Sequence, residues 1–106
     1  MERSCVAFKL KPGTKDEYIK RHNEIWPELV EVIRKYGFKN QTIFINDNLL
    51  IAYIECKGNI KEQSEQYAKE EISIAWQEYF NDVIEERYDE INEARYLEFE
   101  EIWHLD

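Results

Sequence analysis

The chain has 106 residues, enough for one compact domain, and its 43% hydrophobic and 14% aromatic content is too high for a disordered segment despite 35% charged side chains. Its 23 acidic and 14 basic residues give a formal charge of -9, which repels nucleic-acid phosphates and anionic lipid and leaves an uncharged ligand compatible. No stretch approaches the roughly 18 apolar residues of a membrane span, and Met1 to Val6 lead into alternating residues rather than an apolar signal run, so the sequence predicts a soluble cytoplasmic protein with neither a membrane nor a nucleic-acid partner.

Val6, Phe8 and Leu10 alternate with Ala7, Lys9 and Lys11, the period of a half-buried strand that stops at Pro12 and Gly13. Thr14 with Glu17 has the pattern of a capping box, and Tyr18, Ile25, Trp26, Leu29, Ile33 and Tyr36 recur at helical spacing as far as Gly37. A long first helix is therefore expected from about Lys15. Inside it Pro27 removes a hydrogen bond and clashes with the carbonyl of Asn23, which predicts a kink or restart and strain beside His22.

Phe38 to Ile45 and Leu49 to Cys56 are β-rich runs on either side of Asn46, Asp47 and Asn48, the composition of a hairpin turn. Asn59 and Glu62 offer a second capping box, but Glu62 to Glu71 is polar nearly throughout, so a surface helix and a loop both stay open there. Ile72, Ala75, Trp76, Tyr79, Phe80, Val83 and Ile84 make an apolar helical stripe, with Gln77, Glu78 and Asn81 opposite. The acidic stretch from Glu85 to Glu93 reads as a solvated face, and Tyr96 to Leu105 as a last strand with an irregularity near Glu100 and Glu101.

Strand, helix, strand, strand, helix, strand is the order of a ferredoxin-like α+β domain, βαββαβ, here spanning residues 1–106 with both helices on one face of the sheet. Ile43, Ile45, Leu50, Ala52 and Ile54 exceed what two helices need to cover, so the other face is expected to pack on a second copy in a homodimer, a dimeric α/β barrel. Strands one and three are neighbours in this topology, which brings Cys5 near Cys56 at one end of the sheet. Both are expected as buried thiols, able to form a disulfide under oxidation. Neither they nor Glu98, Glu100 and Glu101 have metal-ligand spacing, so no metal is expected.

Tyr18 and His22 stand four residues apart, so on a helix they project from one face about 6 Å apart along the axis and can address one small ligand together. An imidazole with an ordinary pKa of about 6.5 populates both protonation states near neutrality, which suits it to proton transfer. The bland alternatives stand beside this reading. A lone helical histidine is more often structural than catalytic, Trp26 and Trp76 serve equally as core or as stacking surface for a sugar, and His104 has no partner in the sequence and reads as structural.

The run from Glu17 to Leu29, with its RHN-x-IWPEL core, closely resembles the signature of the L-rhamnose mutarotase family. The resemblance continues through Gly37, Asn40, the hairpin, Trp76, Tyr79, Asp82 and Val83 to the strand ending at Leu105, and is weakest from Lys57 to Glu71. It implies a dimeric ferredoxin-like barrel that exchanges the anomers of L-rhamnopyranose by ring opening and closure without a cofactor. In that family the motif histidine, His22 here, is the proton donor for ring opening. The resemblance puts the family's sugar-binding helix tyrosine on Tyr18, its strand-two tyrosine contact on Gln41 and its tryptophan pair on Trp76 and Gln77, with Trp26 a further substrate-binding candidate. Amides in place of two aromatic faces trade stacking area for hydrogen bonds, so L-fucose or another 6-deoxy sugar stands beside L-rhamnose as substrate. The same fold also serves ligand-binding modules and cofactor-free monooxygenases of small aromatic compounds, which are the rival readings.

Overall fold

In the computed structural model, which describes residues 1–85 and 96–106, the chain runs β1 (Glu2–Lys9), α1 (Lys15–Asn23), α2 (Pro27–Lys35), β2 (Phe38–Asn46), β3 (Leu49–Cys56), α3 (Ile60–Ala68), α4 (Glu71–Tyr79) and β4 (Leu97–Phe99). The strands form one antiparallel sheet in the order β2-β3-β1-β4, the ferredoxin-like arrangement. Asp47, at φ 57, turns the β2-β3 hairpin in the left-handed region that a short polar side chain tolerates. The acidic run at 86–93, read as a solvated face, lies outside the described residues.

The first expected helix is a pair. The chain leaves α1 at Asn23, and Trp26, at φ -66 and ψ 129, caps α2 with Pro27 in its first turn, where the missing N–H has no intrahelical use. The N–H groups of Leu29 and Val30 bond the Trp26 carbonyl at 3.0 and 3.1 Å. The joint is thus the restart of the two expected alternatives, and with Pro27 in a first turn it carries none of the strain expected beside His22. The second helical region restarts at Glu70, the cap of α4. Asn59 caps α3 as its spacing predicts, accepting from the Glu62 N–H at 3.0 Å, which resolves the open segment as a helix. Thr14 does not cap α1 with its side chain, because its hydroxyl donates to the Lys11 carbonyl at 2.7 Å.

The helices cover one face of the sheet. Leu10, Tyr18, Leu50, Phe80 and Val83 form the buried cluster between the layers, with Phe8, Ile43, Ile45, Trp76 and Ile84 packed against it. Ile43, Ile45 and Leu50 therefore lie under the helices, not on the opposite face as the surplus argument had it. Phe44 and its cross-strand partner Ile51 point the other way, and Phe44 is 62% exposed. On α4 the interior positions are Ser73 and Trp76, continued by Phe80 and Val83, while Ala75 and Tyr79 of the expected stripe sit on an exposed flank.

The expected last strand shrinks to Leu97–Phe99, which pair with Ala7, Val6 and Cys5. Residues 100–106 carry no regular structure, since Ile102, Trp103 and Leu105 break the period-two alternation a strand needs. The cysteines correct another expectation. Cys5 pairs with Tyr53 whereas Cys56 pairs with Glu2, which places the two thiols on opposite faces of the sheet and out of bonding reach. Both are free, Cys56 fully buried and Cys5 only partly so. Among the described residues no helix is long and apolar enough to cross a membrane.

Candidate functional site

His22 lies in the last turn of α1, its ring set among Tyr18, Phe80 and Trp76 at centroid distances of 4.3, 5.0 and 5.4 Å. Nδ1 is 3.1 Å from the carbonyl oxygen of Tyr18. A carbonyl only accepts, so this bond selects the tautomer with its proton on Nδ1 and leaves Nε2 as an acceptor. Burial among the aromatic rings pushes the imidazole pKa below its ordinary value, and the bond to the carbonyl opposes that shift only in part. At neutral pH the ring is accordingly uncharged and Nε2 is basic.

A cleft of about 180 Å³ opens beside this ring. Its lining combines the apolar Ile25, Leu29 and Ile33, from the stretch where the chain passes from α1 into α2, with the polar Gln41, Tyr67, Ser73 and Gln77, and with His22 and Trp76. A β-bulge aims Gln41 into it. Lys39 pairs with Glu55 and Thr42 with Tyr53, so Asn40 and Gln41 together oppose the single residue Ile54. Asn40 adopts φ 52 and bonds Glu55 at 2.7 Å through its side-chain amide, while Gln41 lines the cleft.

Arg21 fixes the histidine's turn of helix from behind. It is 9% exposed, and its guanidinium donates to Glu17 at 2.9 Å, to the Tyr79 carbonyl at 2.7 Å and to both oxygens of Asp82 at 2.9 and 3.0 Å. It also lies 4.5 Å over the Tyr79 ring. This fork ties α1 to the end of α4 that carries Phe80, and it holds the Asp82 carboxyl below its ordinary pKa.

Of the residues singled out from the sequence, His22, Gln41, Trp76 and Gln77 meet in the one cleft. Tyr18, 5% exposed, and Trp26 do not line it. Tyr18 backs the imidazole from the core, where burial raises its phenol well above the ordinary range. Trp26 meets Trp76 edge-on at 4.9 Å and stacks on Tyr79 at 5.5 Å, the packing member of its two readings. Tyr67, Ser73 and Arg21 escaped notice, because a polar residue within an amphipathic pattern carries no sign of which way it turns. The available signal was Tyr67 itself, the lone aromatic of an otherwise polar helix. A separate depression of about 300 Å³ lies on the other sheet face near Cys5, Tyr53 and Trp103; its histidine, His104, is bonded to Asp106 at 2.7 Å.

The fold and the cleft together define a small ferredoxin-like α+β protein that gathers an imidazole, an indole, a phenol, a hydroxyl and two amides beside three aliphatic side chains. The chain is a member of the L-rhamnose mutarotase family, whose sequence profile matches residues 3–105. The L-rhamnose mutarotase of Lachnoclostridium phytofermentans is 39% identical to it over 80% of this chain and 82% of that protein. That of Oceanobacillus iheyensis is 32% identical over the whole of both. The crystal structure of an L-rhamnose mutarotase from Formosa agariphila superposes over the full length of both chains with a TM-score of 0.80 at 27% identity. Tetracenomycin F2 cyclase from Streptomyces glaucescens has the same fold, with a TM-score of 0.73 at 16% identity.

Proposed function

We propose that this chain is an L-rhamnose mutarotase, a carbohydrate isomerase that exchanges the anomers of the free sugar by opening and closing its ring, with His22 as a proton-transfer group. The observation that carries the reading is the neutral imidazole whose Nδ1 is occupied by the Tyr18 carbonyl and whose other nitrogen is left for the cleft. Nε2 takes the proton of the anomeric hydroxyl, the bond from C1 to the ring oxygen breaks, the aldehyde turns about C1–C2, and closure on the other face returns the proton. The resemblance implies the reverse direction for His22, a proton given to the ring oxygen at opening, which the same ring performs when it starts as the imidazolium. Gln41 and Gln77 suit sugar hydroxyls, Trp76 suits a sugar face, and Ile25, Leu29 and Ile33 suit the methyl group of a 6-deoxy sugar. Tyr18 and Trp26 support these contacts from behind.

The reading includes a homodimer in the cytoplasm. Phe44, Phe99 and Trp103, 62%, 47% and 77% exposed, leave apolar area that a second copy of the sheet face would cover. The free thiols and the net charge of -9 fit a reducing compartment and a partner that is neither nucleic acid nor membrane.

Saturation-transfer NMR on the anomeric protons of L-rhamnose, with L-fucose in parallel, tests the activity. Catalysed exchange that falls about 100-fold or more in His22→Ala, with native circular dichroism, is the expected result. Wild-type protein that accelerates exchange of neither sugar overturns the proposal.

A further inference from the structure

Tyr67 and Gln77 line the cleft beside His22 and also line a second, larger cavity of about 540 Å³, so the two spaces adjoin across that pair of side chains. We propose that the second cavity holds a further sugar ring, and that the site takes reducing oligosaccharides ending in the 6-deoxy sugar as well as the free monosaccharide. The inference rests on the mutarotase reading above and widens its substrate class.

The cleft, at about 180 Å³, is smaller than the roughly 300–1,000 Å³ of a site for a drug-sized ligand and suits one pyranose ring, whereas the second cavity falls within that range. Val6 and Phe8 of β1 give the second cavity an apolar surface, Tyr96 adds an aromatic ring, and Ser4 and Ser64 add hydroxyls from β1 and α3. Apolar area with a few hydrogen-bonding groups beside it matches the C–H face and the hydroxyl edge of a sugar. Among the described residues that line it the one charged group is Glu98, which accepts hydrogen bonds from hydroxyls and repels an anion, as does the net charge of -9. A neutral polyhydroxyl substituent is thereby favoured over a phosphate or a carboxylate. The divide between the spaces has one fixed and one movable member. The Tyr67 ring is held edge-on against Tyr36 at 6.4 Å and Phe38 at 5.8 Å, while Gln77 is exposed and its side-chain amide has no hydrogen-bond partner among the described residues.

The chemistry permits such a substrate. Anomer exchange breaks and remakes the O1–H bond and the bond from C1 to the ring oxygen, and it leaves the hydroxyls on C2, C3 and C4 untouched. A sugar attached at O1 abolishes the reaction, but one attached at O2, O3 or O4 does not. The reducing residue therefore occupies the cleft with His22, and its neighbour extends past Tyr67 and Gln77 into the second cavity. Contacts made there are the same before and during ring opening, so they lower KM and leave kcat as it is.

The test sets three L-rhamnosyl-L-rhamnose disaccharides, joined through O2, O3 and O4 of the reducing residue, beside L-rhamnose in the exchange assay. For at least one linkage kcat is expected within about twofold of that for L-rhamnose, with KM about tenfold lower. Ser64→Trp, at an exposed position of α3 that lines the second cavity and not the cleft, should raise KM for that disaccharide about tenfold and leave L-rhamnose within about twofold. Ala68→Trp, exposed on the same helix and lining the same cavity, makes the comparison if Ser64→Trp lacks a native circular dichroism spectrum. Disaccharides that stay at the uncatalysed rate while L-rhamnose is exchanged overturn the inference. So does a KM no lower than that of L-rhamnose for every linkage, or a tryptophan variant that shifts both sugars alike or neither. Titration calorimetry repeats the comparison as Kd without catalysis. If the wild type exchanges no sugar the mutarotase reading fails, and disaccharides that bind no tighter than L-rhamnose, or equally well to Ser64→Trp, overturn the second-sugar site on their own.

Discussion

The ring of His22 lies 4.3 Å from that of Tyr18 with 31° between their planes, and the same residue's carbonyl holds Nδ1 at 3.1 Å. One tyrosine thereby fixes both the tilt and the tautomer of the imidazole. The phenol hydroxyl need not touch substrate for this to matter, since the backing is done by the ring face and the backbone.

Burial lowers the pKa of His22, so the neutral form persists below the ordinary histidine value. The acid limb of kcat/KM is expected below pH 6.5, with activity flat from there to neutrality, and a pH profile of anomer exchange measures it. The linked stability has a definite sign. The unfolded chain binds the proton more readily than the folded one, so stability falls as pH drops from the ordinary value of 6.5 toward the depressed one and is level above it. Urea unfolding of the wild type and His22→Gln at several pH values should show that slope only in the wild type.

Arg21 binds Glu17, Asp82 and the Tyr79 carbonyl through the planar fork of its guanidinium, a geometry an ammonium does not reproduce. Arg21→Lys is expected to lower the melting temperature by several degrees and to reduce kcat more than it raises KM, because His22 is the next residue along. Asp82→Asn should have a smaller effect of the same kind, and the double variant should be little worse than Arg21→Lys alone. Differential scanning fluorimetry and the exchange assay measure these.

The four-strand order and the hairpin were legible in the sequence, because Val6, Phe8 and Leu10 alternate and two β-rich runs flank the turn composition of Asn46 to Asn48. The histidine's importance was legible through the RHN-x-IWPEL run. Less could be read where two periods overlap. Pro27 is compatible with a kink inside one helix and with the first turn of a new one, and only the backbone of Trp26 decides between them. Alternation shows that Ile43, Ile45 and Leu50 share a face without saying which face, since that depends on how much area the helices cover. The polar wall of the cleft was hardest to find, as Tyr67 and Ser73 look in sequence like members of a solvated surface.

Gly37 ends α2 with φ +81, where its N–H bonds the Arg34 carbonyl at 3.0 Å and its own carbonyl accepts from Lys57 at 3.0 Å. A Cβ there would sit 3.5 Å from that of Lys57, ordinary contact, so space is adequate and the dihedral is the difficulty. Gly37→Ala is expected to destabilise by about 1–2 kcal/mol in urea titrations with an unchanged m value, and to leave KM nearly as it was.

Phe44 presents a large ring on the sheet face away from the helices. The proposed homodimer through this face predicts a dimeric mass for the wild type and a monomeric one for Phe44→Glu in light scattering at micromolar concentration, with native circular dichroism in both. A dimer of unchanged affinity would place the contact elsewhere.

The extra residue at Asn40 and Gln41 sets the phase of everything upstream of it on β2. Phe38 and Ile43 are an odd number of positions apart and yet both face inward, packed beneath the helices. Shortening the strand by one residue at that point would turn Phe38 out to water along with the approach from Gly37. Length variation in this hairpin is therefore admissible at the tip, around Asp47, and excluded a few residues earlier.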